Sequence, residues 1–135
     1  MSRSPEETAV MAGVFAGLVP DNTVLALSGG LGAGKTAFVR GMAVAFGVNA
    51  PVSSPSYAIF NLHEGRRIQL AHVDAYRLVE PEEFDALALW ELLEEPWVLV
   101  VEWPENLGNR LPAETWWMDC AIEGQDVRRF RLRGT

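Results

Sequence analysis

Positive charge is scarce in this chain, and lysine scarcest of all. Against 18 Asp and Glu stand 11 Lys and Arg, giving a formal net charge of -7 and a pI near 4.8. Only one of those eleven is a lysine, Lys35. An acidic surface argues against tight, autonomous binding of nucleic acid, because that affinity comes mainly from neutralising phosphates. Cysteine is equally rare. Cys120 stands alone, cannot close an internal disulfide, and points to a reducing compartment; it reads as a small buried apolar side chain. No apolar run is long enough to span a bilayer. The N-terminus, Met1 to Glu7, has acids early and no signal-peptide core. Repeats, linkers and low-complexity tracts are absent. The expectation is a soluble, cytoplasmic protein without membrane contact. Its 135 residues, 49% of them hydrophobic, suffice for one core and are too few for two domains, so residues 1–135 are expected to form a single domain.

The one lysine lies in Gly29-Gly30-Leu31-Gly32-Ala33-Gly34-Lys35-Thr36, which fits the phosphate-loop pattern G-x-x-x-x-G-K-[ST]. Where this chain needs only positive charge it uses arginine. At position 35 it uses a compact ammonium on a flexible stem, which reaches between β and γ oxygens where a planar guanidinium would be too bulky. The strand-like run Thr23 to Ser28 precedes the loop, and a helix-like run, Thr36 to Phe46, follows it. In that setting consecutive backbone N–H groups form an anion nest, and the helix N-terminus faces the phosphates. Gly29, Gly32 and Gly34 permit close approach or positive φ. Lys35 is expected on β and γ oxygens, and the Thr36 hydroxyl on Mg²⁺.

Around the loop, Ser4-Pro5-Glu6-Glu7 reads as a helix start. Val10, Met11, Val14, Phe15 and Leu18 then recur at helical spacing, and Pro20-Asp21-Asn22 ends the helix. Strand one is Thr23 to Leu27. The loop helix ends at Gly47, a glycine past its C-terminus. Val48 to Tyr57 is loop-like. Ala58 to Leu62 and Ile68 to Val73 read as two strands joined by His63 to Arg67. Pro81-Glu82-Glu83 opens a further helix carrying Phe84, Leu87 and Leu92. Trp97 to Val101 is a continuous apolar run, expected as a strand covered on both faces. Trp116 to Ile122 and Val127 to Leu132 form a terminal hairpin. The sum is an α/β domain with central parallel strands, antiparallel edge strands and hairpins, and ligands in such sheets sit at the carboxyl ends of the central strands.

A phosphate loop needs an acid at its metal. Two carboxylates end apolar strands, Asp74 and Glu102, and the sequence does not rank them; the alternative for either is a salt bridge to Arg77 or Arg110. Pro51 to Tyr57 is either a segment that orders around the γ-phosphate or a plain surface loop. Arg40 and Arg77 are candidates for transition-state charge stabilisation, though surface charge is the simpler reading. His72 reads as a packed histidine rather than a base. Trp103 is either a wall of the pocket or a core packer. Arg128, Arg129, Arg131 and Arg133 form either a solvated face or a contact for a partner or RNA.

With these residues placed, the chain resembles the TsaE (YjeE) family of P-loop ATPases. The resemblance rests on Leu27 to Thr36, Phe38-Val39-Arg40-Gly41, Val52 to Tyr57, His72-Val73-Asp74-Ala75-Tyr76-Arg77-Leu78 and Val101-Glu102-Trp103-Pro104-Glu105. It implies a P-loop NTPase-like three-layer sandwich. It implies ATP or ADP as ligand with Mg²⁺, and weak ATP hydrolysis supporting threonylcarbamoylation of adenosine in tRNA. The implied partners are TsaD-like and TsaB-like proteins, with tRNA met only through their complex. Thr36 and Glu102 would be the Mg²⁺ ligands, and Asp74 would act at the metal's water shell or in catalysis. Leu31, Gly32, Ala33, Gly34, Lys35 and Thr36 would hold the phosphates, and Pro5 and Thr8 would border the base. Lys35, Asp74 and Glu102 would thus form the catalytic set, and Ser53 to Tyr57 the switch-like loop. The chain departs from the common family pattern at Gly30, where an acid is usual, at Ala37, where a second threonine is usual, and at Ser56 and Ala75. No Asn-Lys-x-Asp guanine-reading motif is present. A small P-loop kinase and a non-hydrolysing nucleotide-sensing module are the alternatives.

Overall fold

A computed structural model of the chain describes residues 1–49 and 60–133. Its elements in chain order are α1 (Pro5–Ala16), β1 (Thr23–Ser28), α2 (Lys35–Ala45), β2 (Phe60–Glu64), β3 (Gln69–Asp74), α3 (Glu82–Asp85), α4 (Leu89–Leu92), β4 (Trp97–Glu102), a 3₁₀ turn (Pro104–Leu107), β5 (Trp116–Ile122) and β6 (Arg128–Leu132). One six-stranded sheet runs in the order β2-β3-β4-β1-β5-β6. The four inner strands are parallel, and β2 and β6 add antiparallel to the edges. Alternation along the inner strands divides the core. Leu25, Leu27, Leu70, Val98, Val100 and Met118 pack under α1 and α2. Val24, Ala71, Val73, Leu99 and Val101 pack with Phe84, Leu89 and Leu107 on the opposite face. This is the expected three-layer α/β architecture, and the apolar run of β4 is covered on both sides.

Local signals held where they rested on caps. The Ser4 side chain accepts from the Glu7 N–H at the start of α1, with Pro5 in the first turn. Gly47, at φ +78°, follows the end of α2. There the Val48 N–H reaches the Ala43 carbonyl at 3.0 Å and the Gly47 N–H the Val44 carbonyl at 3.1 Å, a Schellman closure.

Periodicity held only in part in α1: Phe15 packs against the core, its ring 5.8 Å from that of Phe38, and Met11 is half-buried. Val10, Val14 and Leu18 are exposed, at 68%, 65% and 69%, while Thr8, Ala12 and Ala16 are buried. The cause is the close approach of α2. A Cβ on Gly41 would lie 2.7 Å from the Ala9 carbonyl oxygen and 2.8 Å from the Ala12 Cβ, so only small side chains fit the contact. The helix expected after Pro81 is two four-residue helices, broken at Ala88, whose φ is +50°. Phe84 and Leu89 turn into the core and Leu92 turns out. β2 continues through His63 and Glu64, so the turn narrows to Gly65–Ile68, closed by Gly65 N–H to the Ile68 carbonyl. The expectations for Pro51 to Tyr57 and for Ala58 lie outside the described residues. Among the described residues, no helix is long and apolar enough to cross a membrane.

Candidate functional site

β1 ends at Ser28 and the chain turns at once into the loop that starts α2. Two glycines make that turn possible. A Cβ on Gly29 would lie 2.3 Å from the Cys120 carbonyl oxygen of β5. Gly34 caps α2 at φ +94°, a left-handed conformation, with the Phe130 ring 3.2 Å from where a Cβ would stand. The loop is thus seated on the β5–β6 hairpin. A further hold comes from Arg128, whose Nε donates to the Gly32 carbonyl at 2.7 Å.

Lys35 is 5% exposed. Its ammonium donates to the Gly29 carbonyl at 2.6 Å and stands 3.5 Å from the centroid of the Trp103 ring. Burial lowers its pKa below the usual lysine range, and the negative charges of Glu102, Glu105 and Asp74 work against that fall. Trp103 holds φ +58°, a rare backbone state for a bulky residue, and its ring lies 4.9 Å from that of Tyr76. It is a wall of the site.

The two candidate acids separate by register. β4 is the direct neighbour of β1, with Leu27 opposite Glu102; Asp74 ends β3, one strand further out, opposite Glu102 on its other side. The Thr36 hydroxyl stands 3.2 Å from each Glu102 carboxylate oxygen. Asp74 instead accepts from the Tyr76 N–H at 3.0 Å. His72 is fully buried and its Nε2 lies 2.5 Å from Glu102 Oε2. That contact was legible only as a strand period: His72 precedes Asp74 by two residues and shares its face.

Two cavities flank the loop. One, of about 310 Å³, is lined by Leu31 to Ala37 with Asp74, Tyr76, Glu102 and Trp103. The other, of about 450 Å³, lies between the loop and the start of α1. Pro5, Thr8, Gly32, Gly34 and Arg128 line it, so the structure brings Pro5 and Thr8 to the loop. The Thr8 hydroxyl is already bonded to that of Ser2 at 2.7 Å. A third, more apolar cavity of about 610 Å³, around Trp116 and Trp117, contains none of the loop residues.

The remaining candidates fall away from the centre. Arg40 and Arg77 are exposed and line neither cavity at the loop. Arg110 pairs with Glu82 and Asp85 rather than with either candidate acid. Three of the four C-terminal arginines are engaged within the fold: besides Arg128, Arg129 pairs with Glu123 and Arg133 with Asp119, while Arg131 is exposed. The Asp119 carboxyl is held below the usual range by its bond to Arg133.

Comparison with known proteins accords with this geometry. Residues 2–130 match the family model described as threonylcarbamoyl adenosine biosynthesis protein TsaE. The tRNA threonylcarbamoyladenosine biosynthesis protein TsaE of Treponema pallidum is 36% identical over 115 residues, covering 85% of this chain and 84% of that protein. The protein of the same name from Bacillus subtilis is 34% identical over 127 residues, covering 94% and 79%. The crystal structure of Bacillus subtilis YdiB superposes with a TM-score of 0.76 at 30% identity, covering 97% of this chain and 80% of that one. A phosphate loop seated between β1 and α2, an acid on the adjacent strand and a match over nearly the whole length lead to one conclusion: the chain belongs to the TsaE family.

Proposed function

We propose that this chain binds ATP with Mg²⁺ at the loop. In this reading it is a weak, cytoplasmic ATPase subunit in threonylcarbamoyladenosine modification of tRNA, working through TsaB-like and TsaD-like partners. The observation that carries the reading is the meeting of Lys35, Thr36 and Glu102 at the carboxyl ends of β1 and β4. The names of the relatives support the pathway.

In this reading the triphosphate lies along Leu31 to Thr36, held by backbone N–H groups and the start of α2. Lys35 exchanges the Gly29 carbonyl and the Trp103 face for β and γ oxygens. An ammonium already stripped of water gains more from an anion than a solvated one does. The donors at the cation position are a hydroxyl and a carboxylate in mutual contact, hard oxygen ligands of the kind Mg²⁺ takes while keeping waters and phosphate oxygens. Thr36 and Glu102 would hold the ion. When bound, it neutralises charge on the phosphate chain. Asp74, at the end of β3 opposite Glu102, would orient the attacking water. The base and sugar occupy the 450 Å³ cavity beside Pro5 and Thr8, within the usual size range of ligand pockets.

Calorimetry tests this directly. Lys35→Ala is expected to weaken ATP binding by about 100-fold or more, from lost charge-assisted bonds of ~3 kcal/mol. Glu102→Ala is expected to bind ATP and lose Mg²⁺-dependent turnover. ATP binding unchanged in Lys35→Ala would refute the site. A second reading, nucleotide sensing without hydrolysis, draws on Gly30 and Ala37; single-turnover measurements with and without TsaB-like and TsaD-like proteins separate the two.

A further inference from the structure

We infer that His72 is the residue that positions the Glu102 carboxylate toward its cation, an inference that rests on the proposed Mg²⁺–nucleotide reading of the site. His72 stands on β3 with its ring fully buried. β3 and β4 run parallel, His72 opposite Val100 and Asp74 opposite Glu102. The ring therefore reaches diagonally to Glu102 on the face the two strands share. Its Nε2 lies 2.5 Å from Oε2. A carboxylate only accepts, so the nitrogen is the donor. The other ring nitrogen, Nδ1, is buried without a hydrogen-bond partner among the described residues. The ring thus has one directed contact, and that contact is Glu102.

This arrangement favours a positioning role over a proton relay. A relay needs a partner on the second nitrogen, and among the described residues Nδ1 is buried with none. Positioning needs only what is present. Glu102 is 3% exposed and held from two sides, by Thr36 and by His72. When the Thr36 hydroxyl turns to a cation, the carboxylate loses one of these contacts. The bond from His72 goes to Oε2, an oxygen that Thr36 also touches, but it does not involve the hydroxyl and is kept when the hydroxyl turns. It keeps the carboxylate aimed at the cation position rather than free to swing toward the Lys35 ammonium. Partners of this kind, which orient a metal ligand without touching the metal, alter metal affinity by about 10–100-fold when removed.

The test separates metal affinity from nucleotide affinity. Mn²⁺, a spectroscopic stand-in for Mg²⁺, is titrated into the chain saturated with ADP, and free Mn²⁺ is followed by its EPR signal. ADP affinity is measured separately by calorimetry in EDTA. His72→Leu, close in volume and without a donor, is expected to weaken Mn²⁺ binding by about 10–100-fold and to leave metal-free ADP affinity as in the wild type. His72→Gln, whose amide nitrogen reaches the position of Nε2, is expected to restore most of the loss. His72→Asn, polar but too short to reach Glu102, is expected to behave as Leu, and it carries the comparison with Gln if the Leu variant does not fold. Wild-type Mn²⁺ affinity in the Leu or Asn variant, an equal loss in Gln and Asn, or a matching loss of metal-free ADP affinity would each overturn the inference while leaving the site standing. A wild-type chain that binds neither ADP nor Mn²⁺ would overturn the site and the inference together.

Discussion

Lys35 and Cys120 are buried side by side in effect but respond to burial in opposite senses, and each response fits its role. Desolvation pulls the lysine down, and nearby carboxylates hold it back. Partly stripped of water, the lysine gains more from an incoming anion than a solvated one would. Desolvation pushes the Cys120 thiol up to about 12 from the usual 9.0. Raised in the folded state, that group contributes stability that is full below pH 9 and is lost as pH climbs from 9 toward 12. It also makes the thiol inert, since the thiolate is the nucleophile. At pH 8.5, alkylation of Cys120 by iodoacetamide is expected to be on the order of 1000-fold slower in the native chain than in urea, as the thiolate fraction dictates. Comparable rates in the two states would show that Cys120 is not the buried thiol described, which is 4% exposed.

At the scale of elements, the α1–α2 contact matters most. The Gly41 position admits no Cβ without displacing Ala9 and Ala12. Glycine inside a helix ordinarily loses about 1 kcal/mol relative to alanine. Here overpacking of ~1–3 kcal/mol opposes that gain. Gly41→Ala is therefore expected to lower stability by up to ~2 kcal/mol in urea unfolding, against the gain that helix propensity alone would give. Gly30→Ala is the control. Nothing lies within 4 Å of a Cβ there, so the change is expected to stay within about 0.5 kcal/mol. A stabilised Gly41→Ala variant would mean that the helices stand further apart. This contact also explains why hydrophobic period misassigns much of the inner face of α1. Val10, Val14 and Leu18 have the right period, but the partner surface accepts only Thr8, Ala12 and Ala16. Hydrophobic period reports which residues are apolar, whereas close helix packing selects by size.

At the scale of the whole molecule, the sheet order brings together residues far apart in the chain. Placing β4 beside β1 sets Glu102 against Thr36, and placing β5 on the other flank of β1 lets β6 fold back over the loop. Arg128, one of four arginines that the sequence left between a solvated face and a partner contact, thus holds the Gly32 carbonyl. It is partly exposed, so the bond is screened. Arg128→Ala is expected to reduce ADP affinity by about fivefold, ~1 kcal/mol, with the fold retained. Wild-type ADP affinity in that variant would show that β6 does not shape the loop.

The loop and its two flanking elements were legible because they are contiguous. Eight residues specify a nest, a cation and a hydroxyl, and hydrogen bonds between near neighbours in the chain do the rest. The alternation of parallel strands with helices was legible for the same local reason. The choice between Asp74 and Glu102 was not legible in the residues themselves, since both end apolar strands and nothing in either segment records which strand neighbours β1; only the family resemblance pointed to Glu102. Strands stand about 4.8 Å apart, so one place in the sheet order decides which acid the Thr36 hydroxyl meets. The roles of His72, Arg128 and Gly41 were hidden for the same reason: each acts across a contact between elements distant in sequence. The sequence by itself determined that a loop of the phosphate-binding pattern joins β1 to α2 and which side chains it presents. Tertiary structure decided which strand carries its carboxylate to Thr36, what holds that carboxylate in place, and which side of α1 is inside.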